Sequence, residues 1–253
     1  MSTVDGKSTT HSSLRRAISI MRAFSEPRPS MTVTELANDL NLHKSTVSRI
    51  LATLLDEGLV YQHPDSGRYS LGLGLVTMSA VAVGQSIVRS AALPHLDRLV
   101  SDCGETAVLS VMRGGRVVTL ATRAPSESIR YVTWEGRALA PQSAVAGRTL
   151  LAGLSRVTRD ELVQDLGDEE HEDLDELCKQ GLDAERDNIE VGMSSVTAPV
   201  RDHLGGIVAA LSVVGPTTRF DDRTYAAAWS AVRAAAADTS SQLGFEERRP
   251  GVA

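Results

Sequence analysis

The side chains best suited to bind another molecule are concentrated in one short segment near the N-terminus. Between residues 44 and 53, hydroxyl and cationic side chains occupy the helix face opposite an apolar stripe that includes Val47, Leu51 and Leu54. These polar residues are Lys44, Ser45, Thr46, Ser48, Arg49 and Thr53. Hydroxyl groups can bind phosphates or base edges, and an arginine can donate two hydrogen bonds to guanine. A solvated helix face would carry the same residue types, so the flanking elements must decide between the two interpretations.

The elements before this segment are typical of a helix-turn-helix. An apolar helix is predicted from Leu14 to Phe24. Thr32 and Glu35 have the spacing of a capping box, which begins a short second helix. Asn41 tolerates the positive φ of a tight turn, and Gly58 ends the third helix. Two helices joined by such a turn form a helix-turn-helix.

A β-hairpin is predicted directly after the third helix. The strand-like runs 59–61 and 68–71 flank residues 63–67, which contain the Pro, Asp and Gly of a turn. A hairpin in this position is a wing. Together with the polar helix face, the turn and the wing predict DNA binding. We expect Arg68 on the wing to contact backbone phosphate, and Thr34 at the start of the second helix to contact the DNA as well.

Charge is distributed unevenly along the chain, whose 253 residues have a net charge of -6. Residues 1–70 contain 8 Lys and Arg against 7 Asp and Glu, a net charge of +1. Residues 71–253 contain 18 and 25, a net charge of -7. A polyanion would therefore meet the N-terminal part, and the remainder would repel it.

The composition favours a folded cytoplasmic protein. Hydrophobic residues make up 42% and charged residues 23% of the chain, which is close to the average of soluble domains. The sequence has no stretch approaching 18 consecutive apolar residues and no apolar signal core at the N-terminus, so we expect neither a membrane span nor secretion. Cys103 and Cys178 form no C-x-x-C pair, which argues against a disulfide scaffold or zinc finger.

Enzyme and cofactor motifs are missing from the sequence. His171 and Glu172 do not continue into an H-E-x-x-H zinc pattern, because position 175 is Asp. The sequence also has no nucleophile elbow and no phosphate-binding loop. The acidic run 168–176 could bind a cation, but such runs are typical of solvated helix faces. We therefore expect a protein that is not an enzyme and uses no metal or cofactor.

The rest of the chain predicts an α+β domain with an antiparallel sheet. The predicted strands are 106–112, 117–122, 129–133, 195–200 and 207–214. The predicted helices are 143–154, 158–166 with Thr158 in a capping box, 172–180 and 222–243. Between the two parts, residues 73–100 predict a linker helix and then a second helix that begins near Pro94 and is closed by Gly104.

Separate motifs distributed along the chain point to a known family. In the N-terminal part they are Ser13–Ala17, Met31–Ala37, Lys44–Leu51 and Gly67–Gly72. Further along they are Pro94–Leu96, Gly104–Thr106, Gly147–Arg148, Ala198–Asp202 and Ala209–Pro216. With these motifs the chain resembles the IclR family of bacterial transcriptional regulators over about residues 12–243.

The resemblance implies an N-terminal winged helix-turn-helix, a helical linker and a C-terminal GAF-like effector-binding domain. The expected boundaries are a disordered lead-in at 1–12, the winged helix-turn-helix at 13–72, the linker helix at 73–92, the GAF-like domain at 93–244 and a flexible tail at 245–253. The resemblance also implies homodimers or dimers of dimers on palindromic operator DNA. A ligand-responsive regulator of a catabolic or metabolic operon is then expected, with repression favoured over activation.

Family members bind small acids in a pocket of the second domain. The resemblance assigns to this pocket Leu139, Gln142, Val145, Ala146, Glu185, Ser195, Ser212 and Val214. Gln142 stands where His is usual, Ser195 where Cys is common and Val214 where a second Ser is frequent, while Val145 replaces a smaller residue. Fewer donors and more branched side chains suit an acid or amide that is larger and more apolar than pyruvate. Ordinary packing without a ligand is the alternative for these positions.

A second function class also fits the predicted architecture. A GAF-like sensor or enzyme could carry a winged helix that serves only protein contacts. Sequence-selective duplex binding whose affinity falls steeply with salt separates the two classes, because only a DNA binder releases counterions from phosphates.

Overall fold

The computed structural model describes residues 6–25, 27–187 and 191–246, except the side chains of residues 6–12 and 83. The chain forms two compact units, residues 1–85 and 86–253, which are described separately. The N-terminal unit contains the helices α1 (Gly6–Ala23), α2 (Val33–Asp39), α3 (Lys44–Asp56) and α4 (Gly74–Gly84). Its strands β1 (Ser30–Met31), β2 (Val60–Gln62) and β3 (Tyr69–Leu71) form an antiparallel sheet in the order β1-β3-β2.

Local capping signals set the ends of α2 and α3, as the sequence predicts. The Thr32 hydroxyl accepts a hydrogen bond from the Glu35 amide at 3.2 Å, and the Glu35 carboxylate accepts one from the Thr32 amide at 2.6 Å. Asn41 has a φ of 51° in the turn between the helices. Gly58, with a φ of 67°, follows α3, and the next amide, of Leu59, donates to the Leu54 carbonyl at 2.8 Å. The predicted helix-turn-helix and wing are confirmed.

The C-terminal unit is α+β, as predicted. Its helices are α5 (Ile87–Cys103), α6 (Gly147–Ala152), α7 (Arg156–Leu162), α8 (Asp168–Gln180) and α9 (Asp222–Gln242), with 3-10 turns at Pro141–Ser143 and Thr217–Arg219. Its strands are β4 (Thr106–Arg113), β5 (Arg116–Arg123), β6 (Ala138–Leu139), β7 (Asp183–Arg186), β8 (Met193–Arg201) and β9 (Ile207–Pro216). They form one antiparallel sheet in the order β6-β5-β4-β9-β8-β7.

The two faces of this sheet differ in chemistry because successive strand residues point to opposite sides. One face packs apolar side chains such as Leu109, Val196 and Leu211 against Leu96 of α5 and Val232 of α9. The residues between them point to the other face, where buried hydroxyls are abundant. These hydroxyl residues are Ser110, Thr119, Ser195, Thr197 and Ser212. The second face therefore needs polar partners within the fold.

The helix prediction around Pro94 was wrong. Pro94 lies inside α5, and the break between α4 and α5 falls at Gln85 and Ser86. The Ser86 hydroxyl accepts a hydrogen bond from the Arg89 amide at 3.3 Å and so caps α5. Helix residues on both sides of the proline are buried in the core. The free energy of this packing offsets the loss of the backbone hydrogen bond that proline cannot donate.

The strand predicted at 129–133 was also wrong, because these residues form a loop. Side chains occupy the carbonyls that a sheet ladder would use: Thr106 donates to the Tyr131 carbonyl at 2.8 Å, and Arg219 to the Ile129 carbonyl at 3.0 Å. The strand that pairs with β5 is β6. The sequence also missed β7, whose inward residues are charged and therefore give no apolar alternation.

Several helix ends in the C-terminal unit differ from the predicted ends by a few residues. Ser155, and not Thr158, caps α7, because its hydroxyl accepts from the Thr158 amide at 3.3 Å. Helix α6 begins at Gly147 where 143 was predicted, α7 ends at Leu162 where 166 was predicted, and α8 begins at Asp168 where 172 was predicted. The acidic residues 168–170 favour the positive N-terminal end of α8, which explains its earlier start.

The two chain ends are only partly described. Residues 6–12, predicted to be disordered, form the first turns of α1, since residues 7–12 contain no glycine or proline to stop the helix. The first residue of the predicted flexible tail, Phe245, closes α9, because its amide donates to the Ser240 carbonyl at 2.9 Å. Residues 1–5 and 247–253 of these predicted segments lie outside the described residues.

No single helix in the described ranges is both long and apolar enough to cross a membrane. Only the segments Gly74–Ala82 and Ile87–Cys103, counted together, reach that length and hydropathy.

An ion pair between a buried carboxylate and a half-exposed arginine fixes one end of the C-terminal unit. Both oxygens of the buried Glu105 carboxylate accept hydrogen bonds from Arg219, the second at 2.7 Å, and this pairing raises the pKa of Arg219. A Cβ atom added at Gly215 would lie 2.3 Å from the Glu105 carboxylate. Glycine at position 215 therefore makes room for the ion pair, which also holds the loop through the Ile129 carbonyl.

Replacing Gly215 by alanine should destabilise the protein. The added methyl group would push the Glu105 carboxylate away from Arg219 and leave a buried charge poorly paired, at a cost of about 2 to 4 kcal/mol. Urea unfolding of Gly215→Ala measures this free energy. The control is Gly206→Ala, whose Cβ would meet its nearest atom at 3.4 Å, an ordinary contact. Equal stabilities of the two variants would show that the ion pair does not depend on Gly215.

Candidate functional site

The polar face predicted on α3 is present and open to solvent. Val47, Leu51 and Leu54 are buried on one side of the helix. Of the opposite residues, Lys44, Ser45, Ser48, Arg49 and Thr53 are exposed, and Thr46 is half-buried. Thr34 is exposed in the first turn of α2. The structure therefore brings together two cations and several hydroxyls on the second helix of a helix-turn-helix.

The cations of this face are available for an external partner. Within the described part of the chain, no hydrogen bond or ion pair engages the side chain of Lys44 or Arg49. Thr53 differs, because its hydroxyl donates to the Arg49 carbonyl at 3.3 Å. A helix carrying free cations and short hydroxyls has the chemistry to enter the major groove of DNA.

Arg68, in contrast, is engaged inside its own unit. Its guanidinium donates to the Ser30 carbonyl at 2.8 Å and forms an ion pair with Glu35 at 2.9 Å. The pKa of Glu35 is lowered, first by the hydrogen bonds from Thr32 and then by Arg68. Arg68 thus ties the wing to β1 and α2, and its contact with phosphate stays a prediction.

A small cavity in the C-terminal unit collects half of the predicted ligand-binding residues. Its volume is about 10 Å³, which is the room of one water molecule. The lining residues are Tyr131, Val145, Glu185, Met193, Ser194, Ser195 and Val214. Val145, Glu185, Ser195 and Val214 of the predicted set therefore meet around one space.

A second cavity, of about 20 Å³, adjoins the first and shares Tyr131 and Val145 with it. It also contains Leu139 of the predicted set and the guanidinium-bearing side chain of Arg137. Three hydroxyl residues, Ser110, Thr119 and Thr133, line the same space. Five of the eight residues predicted for the pocket thus line one or other of two neighbouring spaces, which share two lining residues.

Three predicted residues line neither cavity. Gln142 is exposed on the 3-10 turn before α6, and Ala146 is buried in an apolar cluster with Leu150. Ser212 is fully buried and shares a hydrogen bond of 2.8 Å with Thr197, so its hydroxyl is already paired. Glu185 lies in strand β7, where the sequence predicted a loop after Gly181.

A buried acidic pair lies beside the first cavity. Asp183 and Glu185 are both buried, and the Nε atom of the half-exposed Arg148 lies 3.5 Å from one carboxylate and 3.8 Å from the other. Burial raises the pKa of Asp183, and Arg148 opposes this shift. Among the described residues, Arg148 is therefore shared by two buried carboxylates.

Sequence reasoning missed Tyr131, Met193 and Arg137 as lining residues. Tyr131 and Arg137 lie in the loop between β5 and β6, which has no apolar periodicity to mark them. Hydrogen bonds to neighbouring strands hold this loop near the cavities: Thr106 of β4 donates to the Tyr131 carbonyl, and the Thr119 amide of β5 donates to the Arg137 carbonyl at 2.9 Å. Among the residues that the structure describes, no group of three or more His, Cys, Asp or Glu side chains could hold a metal ion.

Family models match most of the chain. The model described as IclR helix-turn-helix domain matches residues 13–64. The model described as Bacterial transcriptional regulator IclR C-terminal matches residues 80–241. Both units of the structure are therefore covered by models of one family.

Relatives and solved structures agree with this assignment. The chain is 25% identical over 245 residues to the HTH-type transcriptional repressor AllR of Escherichia coli strain K12, covering 92% of this chain and 90% of the relative. The crystal structure of an IclR transcriptional regulator from Alicyclobacillus acidocaldarius is 26% identical, with a TM-score of 0.80 and coverage of 92% and 99%. An IclR homologue from Microbacterium hydrocarbonoxydans, complexed with 4-hydroxybenzoate, is 23% identical, with a TM-score of 0.73 and coverage of 91% and 98%. The chain belongs to the IclR family of bacterial transcriptional regulators and is a DNA-binding regulator, not an enzyme.

Proposed function

We propose that this protein is a ligand-responsive repressor that binds a palindromic operator and controls a catabolic or metabolic operon. The observation that carries the proposal is the exposed face of α3, with its unengaged Lys44 and Arg49. Repression is supported by the similarity to the repressor AllR. The same proposal places the protein in the cytoplasm, because that is where the operator DNA of a bacterium lies.

The DNA contacts divide by chemistry. Arg49 and the hydroxyls of Ser45 and Ser48 read base edges in the major groove, while Lys44, Thr34, Thr46 and Thr53 contact phosphates or neighbouring bases. One helix reads only a few base pairs, and a net charge of +1 on residues 1–70 gives weak non-specific attraction. Tight binding therefore requires at least two copies of the N-terminal unit.

Helix α4 supports homodimer formation. Val76, Met78 and Val81 are each 60% exposed, and Leu73 just before the helix is 84% exposed. Within the described side chains of α4, none is buried in the single chain. Exposed apolar side chains in such density mark an interaction surface. A second copy of the chain covers this surface in the proposal, giving a dimer or a dimer of dimers.

The effector is a small organic molecule that enters the C-terminal unit. The 4-hydroxybenzoate complex of the homologue from Microbacterium hydrocarbonoxydans supports a ligand larger than pyruvate. The apolar walls formed by Val145, Met193 and Val214 support an apolar body for that ligand. Its effect on the operator must come from different affinities for the two DNA-binding states of the protein.

Arg49→Ala should weaken binding to the operator by about 1 to 3 kcal/mol, and binding to random DNA by less. The operator is first selected from a random duplex library, and fluorescence anisotropy then gives both affinities. Arg22→Ala, which removes an exposed charge from α1, is the control and should change both affinities alike. Equal losses on both DNAs for Arg49→Ala would make Arg49 a phosphate contact.

Arg68→Ala should lower the stability of the N-terminal unit by about 1 kcal/mol, because it removes the bonds to Ser30 and Glu35. If Arg68 also contacts phosphate, the variant reduces the slope of log affinity against log salt by about one. Glu35→Gln keeps the capping box and the arginine, so it should leave this slope unchanged. A different selected operator sequence for Arg68→Ala would contradict the phosphate assignment.

Val81→Glu should give monomers with weak operator affinity, because the interface would have to bury a charge without a partner. Analytical ultracentrifugation measures the oligomeric state, and anisotropy the affinity. Gln85→Glu adds the same charge just beyond α4 and should leave both unchanged. Dimers of Val81→Glu with normal affinity would place the interface elsewhere.

A further inference from the structure

The two neighbouring cavities carry opposite charges at their separate ends. Glu185 lines the first cavity and Arg137 lines the second. Tyr131 and Val145 line both cavities, and these two shared residues are called the partition below. The carboxylate of Glu185 and the guanidinium of Arg137 thus belong to different cavities of this adjoining pair.

The first end accepts hydrogen-bond donors. Among the described residues that line this cavity, Glu185 is the one charged residue, and none is a Lys, Arg or His. The cation near it, Arg148, lies 3.8 Å from Glu185 and is shared with Asp183. A ligand carboxylate placed here would face a buried like charge. An ammonium, amide N–H or hydroxyl group would instead donate to the carboxylate.

The second end suits an acid. Arg137 lines it with the hydroxyls of Ser110, Thr119 and Thr133, and no Asp or Glu is found among its described lining residues. The guanidinium carbon of Arg137 lies 4.9 Å from the centre of the Trp134 ring, and within the described ranges no carboxylate forms an ion pair with Arg137. A guanidinium without a carboxylate partner binds an acid by paired hydrogen bonds.

The partition has to move for a ligand to reach both ends. Volumes of about 10 and about 20 Å³ hold single water molecules and no organic ligand. The Tyr131 carbonyl is fixed by Thr106, and the Ile129 carbonyl by Arg219. The backbone is therefore anchored here, and the side chains of the partition have to move if the two spaces are to join.

We infer that the effector is a bipolar molecule with a hydrogen-bond donor at one end, an acidic group at the other and an apolar body between them. The donor binds Glu185, the acid binds Arg137, and the body replaces the partition of Tyr131 and Val145. This inference rests on the proposed function, because it names the ligand class of that effector pocket. Glu185 and Arg137 are then the residues that determine ligand specificity.

The test uses the full-length protein and four probes with one shared ring. They are 4-(aminomethyl)benzoate, which is bipolar, 4-methylbenzoate, 4-methylbenzylamine and benzene-1,4-dicarboxylate. Isothermal titration calorimetry should rank the bipolar probe first, at least about tenfold tighter than either single-ended probe, since a hydrogen bond to a charged group contributes that much. The dicarboxylate should bind weakest, because one acid must face Glu185.

Two variants test which residue binds each end of the bipolar probe. Glu185→Gln should weaken binding of the bipolar probe and of 4-methylbenzylamine about tenfold and leave 4-methylbenzoate unchanged. Arg137→Gln should weaken the bipolar probe and 4-methylbenzoate and leave the amine unchanged. The controls are Glu172→Gln and Arg130→Gln, which make the same changes at exposed positions. If thermal melts show that Glu185→Gln is unfolded, the inference is tested by Arg137→Gln and by the ranking of the four probes on the unmodified protein.

Two results would overturn the inference: dicarboxylate or 4-methylbenzoate binding as tightly as the bipolar probe, or no binding of any probe. Operator binding is measured separately by anisotropy. Sequence-selective DNA binding without a bipolar preference contradicts only the ligand class. Bipolar binding without sequence-selective DNA binding contradicts the proposed repressor function and leaves the ligand class intact.

Discussion

The burial of a hydroxyl-rich sheet face is the constraint on which the C-terminal unit depends. A buried polar group without a partner costs several kcal/mol in apolar surroundings, so this face can be covered only if its groups are paired. Thr197 and Ser212 pair with each other, and Thr106 pairs with the Tyr131 carbonyl. Glu105 pairs with Arg219, which needs glycine at position 215. The loop and the two cavities follow from how these pairs are made.

The same principle separates the arginines of the N-terminal unit. Arg49 and Arg68 contribute equally to the net charge, yet only Arg68 has an internal carboxylate, on Glu35. An arginine held by its own fold must exchange partners to bind phosphate, whereas Arg49 has no such partner among the described residues to give up. Readiness to bind DNA is therefore a property of the surroundings of each cation and not of the charge count.

Local signals made the N-terminal unit predictable, because its caps and turns are encoded within a few residues. The Thr32 capping box, the positive φ of Asn41 and the glycine after α3 need no tertiary information. The failures have tertiary causes. Pro94 stays inside α5 because the core packs on both sides of it, and residues 129–133 form a loop because Thr106 and Arg219 take its carbonyls.

The ligand pocket was predictable only in part for the same reason. Four residues assigned by resemblance meet at one cavity. Glu185, Ser195 and Val214 lie on the neighbouring strands β7, β8 and β9, and Val145 lies just before α6. Gln142 carries a donor but is exposed to solvent, and the Ser212 hydroxyl already shares a hydrogen bond with Thr197. The residue type at a motif position indicates which hydrogen bonds its side chain can form. Whether the side chain is available to a ligand depends on its partners in the fold, which the sequence alone does not reveal.

The loop that carries Tyr131 also offers a physical route from the pocket toward the start of the C-terminal unit. Glu135 in this loop accepts two hydrogen bonds from Arg89, at 3.1 and 3.2 Å, in the first turn of α5. That turn directly follows the division between the two units at Gln85 and Ser86. A ligand bound as proposed would act on α5 through this pair. Because linkage is reciprocal, operator binding must change ligand affinity by the same factor by which ligand changes operator affinity.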